Sequence, residues 1–467
     1  MSLASHLFIL IFLPLALLLY YWLFKSPRSK MFFLLAASLL FYTTVGWGFT
    51  LLLLGTSAFT YWAGRKNWYL LGILFNLGIL ALFKYWNFGV ETFNQLLNTA
   101  RLNFVEPLLQ LGLPLGISFY TFRHVSYLLD LKVARYPPAD QIWSFLTFSF
   151  YFPQISAGPI SDYKDVARQF SSLPERLEYD RATTGFIYLS YGLVKKVLIA
   201  DQIRLFLTSN INTAGNFPGL IPAWYILIAY AIQLYFDFSG YTDMALGASI
   251  LFGIKLPENF NSPYLAQDVN EFWKRWHISL STWFRYYLFS PISRSLLKKW
   301  GSSQREWAQY SANLLTMSLI GVWHGAGWGY FLWGLYHGIL LNLNTWQKHN
   351  NLRFPSWFSR SAFLLSILFG WTLFMSPDWA YFRHLIAGLI GIHGLGNPGL
   401  LNTLWQHTTT IVLLAAIPLT FSGYAEAASL VSEQYTQTRW KMLAWGVLAA
   451  LSMLAIQQGL DFLYIQF

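Results

Sequence analysis

Two histidines stand in stretches where water is scarce. His324 lies within GVWHGAGWGYFLWGLYHG, residues 321–338, and His277 within QDVNEFWKRWHISLSTWFRYYLFSP, residues 267–291. Ionisable groups at membrane depth are costly to keep, so each is a candidate site by default. A neutral imidazole held there can accept a proton, which makes His324 the best general-base candidate on the chain. With hydroxyl and aromatic neighbours, it suits deprotonation of an alcohol or stabilisation of an oxyanion during acyl transfer.

His277 reads less sharply. A helix over 267–291 puts it on one face with Trp273, Leu280, Ser281 and Phe284, and lets Glu271 pair with Lys274 or Arg275. The segment as a whole reads as a basic amphipathic helix in the membrane interface, and for His277 itself structural and functional readings stay open. His337 is about 20 Å beyond His324 along an ideal helix and on another face, so it reads as a packed or interfacial residue. His6, His349, His384, His393 and His407 fall near span ends or loops and read as solvated.

Other chemistries leave no trace. The chain has no cysteine, which rules out disulfides, thiolate-bound metal and a cysteine nucleophile. No HExxH, GxSxG, P-loop or GxGxxG pattern is present, so no metal and no tightly bound cofactor is expected.

The elements that must position these histidines are membrane helices. Of 467 residues, 55% are hydrophobic, 19% aromatic and 11% charged, too few polar groups to cover a soluble particle of this size. The net charge of +11 reads as the loop bias of a membrane protein, and no compact basic domain remains for nucleic acid. Apolar runs lie at 7–24, 31–46, 48–63, 68–89, 141–158, 184–207, 220–238, 309–331, 359–376, 405–422 and 441–463. They predict an all-α polytopic protein of about eleven transmembrane helices. The first run has no evident cleavage site and reads as a retained span. Shorter pieces at 112–129, 241–254 and 276–291 read as re-entrant, tilted or interfacial.

Lys25, Arg28 and Lys30, then Arg65 and Lys66, mark cytoplasmic loops and leave the N-terminus outside. The mixed-charge stretch 161–183 reads as a solvated loop or surface helix, and 388–402 as a turn-rich loop before the last spans. The apolar run 311–346 exceeds one crossing, and Gly325, Ala326, Gly327 and Gly329 supply flexibility for a break beside His324. Glycines at 321, 325 and 329, then 334 and 338, have the spacing that lets helix backbones approach closely.

At these two segments the chain resembles the membrane-bound O-acyltransferase (MBOAT) family, in its bacterial alginate O-acetylation and D-alanyl transfer branch. EFWKRWHISLSTWFR is similar to that branch's Trp-His signature, and GVWHGAGWGYFLWGLYHG to the segment holding the family's invariant histidine. LPLGISFYTF at 113–122, FPQISAGPI at 152–160, KKVLIADQ at 195–202 and FDFSGYTDMALG at 236–247 agree in the same order. The signature region spans 113–345, within a single transmembrane domain over 1–467 whose C-terminal helices occupy 355–467.

By this resemblance His324 is the catalytic histidine and His277 its partner across a central tunnel, with short re-entrant or interfacial helices around it. Trp323, Trp273, Trp276, Ser281, Asp237 and Asp243 are the implied substrate-binding residues. For the two aspartates a structural reading stands beside this one: Ser239, Thr242 and Asp243 suit a helix start, and Asp237 suits pairing with a buried base.

The implied donor is acetyl-CoA or an acyl-carrier thioester from the cytosol. The implied acceptor is an exported cell-surface polysaccharide or an extracytoplasmic partner acyltransferase, in an inner membrane. The chain departs from the pattern after Arg285, where Tyr286 replaces an acid and SPISR replaces a Pro-Leu-Gly-Gly turn. Two rival readings are D-alanyl transfer from a carrier protein docking on Arg294, Lys298, Lys299 and Arg305, and a transporter of acyl groups or solutes without chemistry of its own.

Overall fold

In lipid each backbone N–H and C=O must find a partner within the protein, and a helix supplies those partners inside one segment. The computed structural model describes residues 1–99, 108–109, 111–211, 219–396, 408–422, 426–427, 439–456 and 462, and its regular elements are all helical. The first four are α1 (Leu7–Trp22), α2 (Pro27–Thr43), α3 (Trp47–Arg65) and α4 (Tyr69–Thr99). Ser26 starts α2 by accepting the Ser29 N–H at 3.2 Å, with Pro27 at the first helical position. A buried helix, α5 (Ile117–Lys132), packs across α3 and α4. It is too short for a full crossing, as the interrupted run 112–129 suggests.

Next come α6 (Ile142–Phe150) and the surface helix α7 (Tyr163–Phe170), which buries Tyr163, Val166 and Phe170 and exposes its charges. Then α8 (Tyr179–Leu193) runs through a π-type stretch, Val194–Ala200, into α9 (Asp201–Ile211). The central helix is α10 (Leu220–Leu251), about 48 Å long at 1.5 Å per residue. It packs on α8 with glycine against glycine: a Cβ on Gly192 would lie 2.5 Å from the Gly240 oxygen, and one on Gly247 2.8 Å from the Gly185 oxygen.

Two sequence expectations need correction here. The runs 220–238 and 241–254 are one helix to Leu251, so Ser239, Thr242 and Asp243 sit in mid-helix rather than at a helix start. Their polar side chains did not break the helix because the lysines of the neighbouring π-type stretch meet the two aspartates. The expected helix over 267–291 is interrupted as well. It consists of α11 (Val269–Arg275) and α12 (Ile278–Phe284), separated by a left-handed turn at His277.

The chain then passes through a π-type stretch, Arg285–Phe289, into α13 (Ser290–Trp300). Residues SPISR, which stand in place of the family's Pro-Leu-Gly-Gly turn, continue a helix. A tight hairpin follows, α14 (Arg305–His324) and α15 (Trp328–His349), then α16 (Ser356–Met375), α17 (Trp379–Leu389), α18 (Thr408–Thr420) and α19 (Arg439–Leu454). Residues 390–396 lie outside helix, as the turn-rich reading of 388–402 expects; 397–402 lie outside the described residues.

Among the described residues, three helices are long and apolar enough to cross a membrane: α4, α10 and α16. The polar loops gather at one end of the bundle. Lys30 donates to the Pro174 carbonyl, Arg65 to the Ala139 carbonyl, and Arg135 pairs with Asp162 at 3.3 Å. The turn between α2 and α3 lies at the opposite end.

Candidate active site

His324 is the last residue of α14, and a helix end leaves its final carbonyls without intrahelical donors. All four are met here. Gly321 O accepts from the Gly325 N–H at 3.4 Å, Val322 O from the Tyr85 hydroxyl at 3.1 Å, and Lys84 Nζ donates to both Trp323 O and His324 O. The segment Lys84-Tyr85 of α4 thus caps the helix that carries the histidine. The break itself, Gly325 to Gly327, uses extended backbone that any residue adopts, with φ of −159° and −170°. Glycine is needed at 325 for space, since a Cβ there would lie 2.1 Å from the Tyr330 ring. At 321 a Cβ would lie 2.1 Å from the Tyr330 carbonyl oxygen, so the hairpin closes only with glycine.

The His324 ring sits among Trp323, Trp333 and Phe374, with centroids 4.9, 5.0 and 5.2 Å away. His324 and Trp323 line a cavity of about 220 Å³ together with Lys84, Gly116, Phe119 and Ser156. That cavity also touches Val45 and Leu113, so it belongs to the α2–α3 turn end of the bundle.

His277 lies behind its wall. The imidazole is fully buried and packs on Phe238 at 4.7 Å and on Phe119 and Trp323, each at 6.4 Å. The next residues, Ile278 and Ser279, line a second cavity of about 380 Å³ with Arg135, Asp162, Lys255, Trp283 and Tyr286, at the end that carries the polar loops. Three stacked rings connect the two cavities: Trp283 on Phe122 at 4.1 Å, and Phe122 on Trp323 at 5.3 Å. Between these cavities from opposite ends stands an aromatic wall, with His324 on the face of the first cavity and His277 buried inside it against Phe119, Phe238 and Trp323.

Residues 117–380, more than half of the chain, match the membrane-bound O-acyltransferase family, and this span contains both histidines and the break between α14 and α15. The chain belongs to the MBOAT family. It is an O-acyltransferase of the membrane. It is 37% identical over 393 residues, 81% of this chain and 73% of the relative, to a protein described as a probable alginate O-acetylase, AlgI, of Pseudomonas syringae pv. tomato. It is 32% identical to the peptidoglycan O-acetyltransferase of Helicobacter pylori, covering 84% of this chain and 80% of that one. The teichoic acid D-alanyltransferase of Bacillus subtilis is 34% identical over half of this chain and 60% of its own length.

The other residues that the sequence nominated for this MBOAT protein divide by location. Of the six substrate-binding candidates, Trp323 alone lines the His324 cavity. Trp273 stacks edge-on to His337 at 5.2 Å and, with Ser281, lines a third cavity of about 230 Å³. The Ser281 hydroxyl donates to the Trp276 carbonyl at 3.2 Å, while Trp276 is buried against Phe272 and Trp371.

Asp237 and Asp243 are ion-paired. Lys196 bridges Asp237 and Asp201, each at 2.7 Å, and Lys195 binds Asp243 at 2.6 Å and Glu426 at 3.3 Å. The pairing expected for Asp237 with a buried base is present. Glu271 pairs with Arg275 at 2.7 Å, one of the two expected partners. His337 is packed, between Trp273 and Trp333. His6, His349, His384 and His393 are exposed, and His407 lies outside the described residues.

Sequence reading passed over Lys84 and His124. The signal for Lys84 was available, since a lone cation inside the run 68–89 is itself a site hypothesis. His124 is fully buried, with Nδ1 3.0 Å from Asn76 Oδ1 and Nε2 3.0 Å from Ser149 Oγ. Both its nitrogens are engaged, and it ties α4, α5 and α6 together.

Proposed function

We propose that this O-acyltransferase moves an acetyl group from a cytosolic thioester to a hydroxyl of an exported cell-surface polysaccharide, or to a partner acyltransferase outside the membrane. The observation that carries the reading is the pair of cavities at opposite ends, one ending on Trp323 and His324 and the other on Ile278, Ser279 and Trp283, with His277 buried between them. The relatives' names support an acetyl group and a polysaccharide acceptor. The end bearing Lys25, Arg28, Lys30, Arg65 and Lys66 faces the cytosol by the positive-inside rule, in the inner membrane, and the N-terminus lies outside. The thioester enters from the Arg135–Tyr286 cavity and the acceptor from the Lys84–His324 cavity. The two cavities are the two mouths of a central tunnel through the spans, about eleven in number, which becomes continuous when the wall opens for the bound substrates.

In the reaction His324 takes the proton from the acceptor hydroxyl while that oxygen bonds to the acyl carbon. The acyl C–S bond then breaks, and the proton passes to the departing thiolate. His277 orients the donor or supplies a proton from the opposite side of the wall. Trp323 sets the limit of approach for both substrates. No tightly bound cofactor enters this scheme; the donor is acetyl-CoA or an acyl-carrier thioester.

A second reading concerns the donor. Arg294, Lys298, Lys299 and Arg305 are all exposed, on α13 and at the start of α14, and would receive an acidic carrier protein delivering D-alanyl or acetyl groups.

The test is thioester turnover by the purified protein in nanodiscs, with radiolabelled acetyl-CoA and, in parallel, an acetylated carrier protein. His324→Ala should lower turnover by about 10²- to 10⁴-fold, the contribution of a positioned base, while the protein still accumulates. Wild-type turnover in that variant overturns the assignment. His384→Ala, at an exposed residue, should leave turnover unchanged.

A further inference from the structure

We propose that Asn259 is a positioning residue for the acyl-transfer site: it holds the left-handed turn that delivers His277 to the wall between the two cavities. The inference rests on the functional reading above. His277 has φ 42° and ψ 56°, a left-handed conformation that is uncommon and unfavourable for a residue with a Cβ, so the contacts that hold it matter. The constraint comes mainly from one side chain and its own backbone. Asn259 O accepts the Ile278 N–H at 2.9 Å; Asn259 Oδ1 accepts the Ser279 N–H at 3.2 Å and the Ser279 hydroxyl at 2.6 Å. Three hydrogen bonds thus fix the two residues that follow His277. Asn259 is fully buried, so no water competes for them.

The same asparagine joins the turn to two other parts of the core. Its Nδ2 lies 3.5 Å from Thr242 Oγ1 on α10, and the hydroxyl it orients, that of Ser279, accepts the Ile160 N–H at 3.0 Å. Arg275 reinforces the loop by donating to Asn261 O at 3.1 Å, and Asn261 N–H returns a bond to Arg275 O at 3.0 Å. Neither cavity is lined by Asn259 itself; it acts through the position of the imidazole. Alanine at 259 removes the Oδ1 acceptor and frees the Ile278–Ser279 end of the turn. Aspartate keeps an oxygen acceptor at the same reach.

The experiment compares Asn259→Ala, Asn259→Asp, Ser279→Ala, His277→Ala and the Asn259→Ala/His277→Ala pair for acetyl-CoA turnover in nanodiscs, normalised to the folded protein recovered. Asn259→Ala should lower kcat by about 10- to 100-fold, the scale expected for a misplaced group, with KM for the thioester little changed. Asn259→Asp should recover most of that loss, and Ser279→Ala should lose less than Asn259→Ala. The pair should be no worse than His277→Ala alone, because both changes remove one function. Should Asn259→Ala fail to accumulate, Asn259→Asp and Ser279→Ala carry the comparison, with near-wild-type kcat in the first and an intermediate kcat in the second. A fully active Asn259→Ala beside an inactive His277→Ala overturns the positioning role and leaves the site intact. Losses that multiply in the pair overturn it too. A fully active His277→Ala overturns the functional reading of this wall, and the proposal with it.

Discussion

Two buried polar regions of this protein look alike in sequence and differ in structure. One is the layer where Lys195 and Lys196, on a π-type stretch, face Asp201, Asp237, Asp243 and Glu426. The other is the wall where His277 and His324 lie among aromatic rings beside two cavities. Both place ionisable groups inside a membrane protein, and on cost alone both are candidate sites. The first consists of complementary charges at hydrogen-bond distance. Glu426 is held further by the Tyr235 hydroxyl at 2.5 Å and the Ser262 N–H at 3.1 Å, which tie its carboxylate to α10 and to the loop after it. In the second, the rings line space into which substrates can come. Where the neighbours of a buried ionisable group are oppositely charged, the group is tied into the fold; where they are aromatic and a cavity reaches the ring, as at His324, it is a candidate for chemistry.

Variants in each region should separate these roles. Lys196→Met should have the largest effect on stability, about 3–5 kcal/mol, because Asp201 and Asp237 would lose their shared cation while still buried. Thermal unfolding followed by size-exclusion chromatography checks this, and a stable Lys196→Met protein with lost turnover would place the ion-pair layer in the chemistry instead. Lys84→Met should be milder in stability, about 1–3 kcal/mol, since it leaves the Trp323 and His324 carbonyls without that donor. Its turnover should fall further than that of Tyr85→Phe, because the two carbonyls it holds are those of Trp323 and His324 themselves. Tyr85→Phe should be the smallest, about 0.5–1.5 kcal/mol for one neutral hydrogen bond to Val322 O. An equal loss of turnover in Tyr85→Phe and Lys84→Met would mean that the cation has no role beyond capping.

The motifs made much of this legible. The glycines of 321–338 announced a break beside His324, and the neighbours of His337 are the packed aromatics expected of it. The helix class followed from composition and run length. Reading 267–291 as one amphipathic helix failed because periodicity cannot register a turn imposed from outside, and the residue that imposes it, Asn259, is carried on a different loop. The same limit hid the continuity of α10 from Leu220 to Leu251. Ser239, Thr242 and Asp243 suit a helix start until Lys195 is set beside Asp243, whereas the pairing of Asp237 with a buried base was legible and is met by Lys196.

By itself the sequence determined that the chain is helical, that it is too apolar for water, and that His277, His324 and His337 are the histidines set in its Trp- and Gly-rich signature segments. Those properties depend on residue types and short spacings, which the chain carries locally. Only the tertiary structure decided that Lys84 caps the His324 helix, that Asn259 shapes the His277 turn, and that Trp273, Trp276 and Ser281 lie outside the His324 cavity. Each of these depends on which distant backbone groups need a partner once helices have packed, and that demand arises only in the assembled bundle.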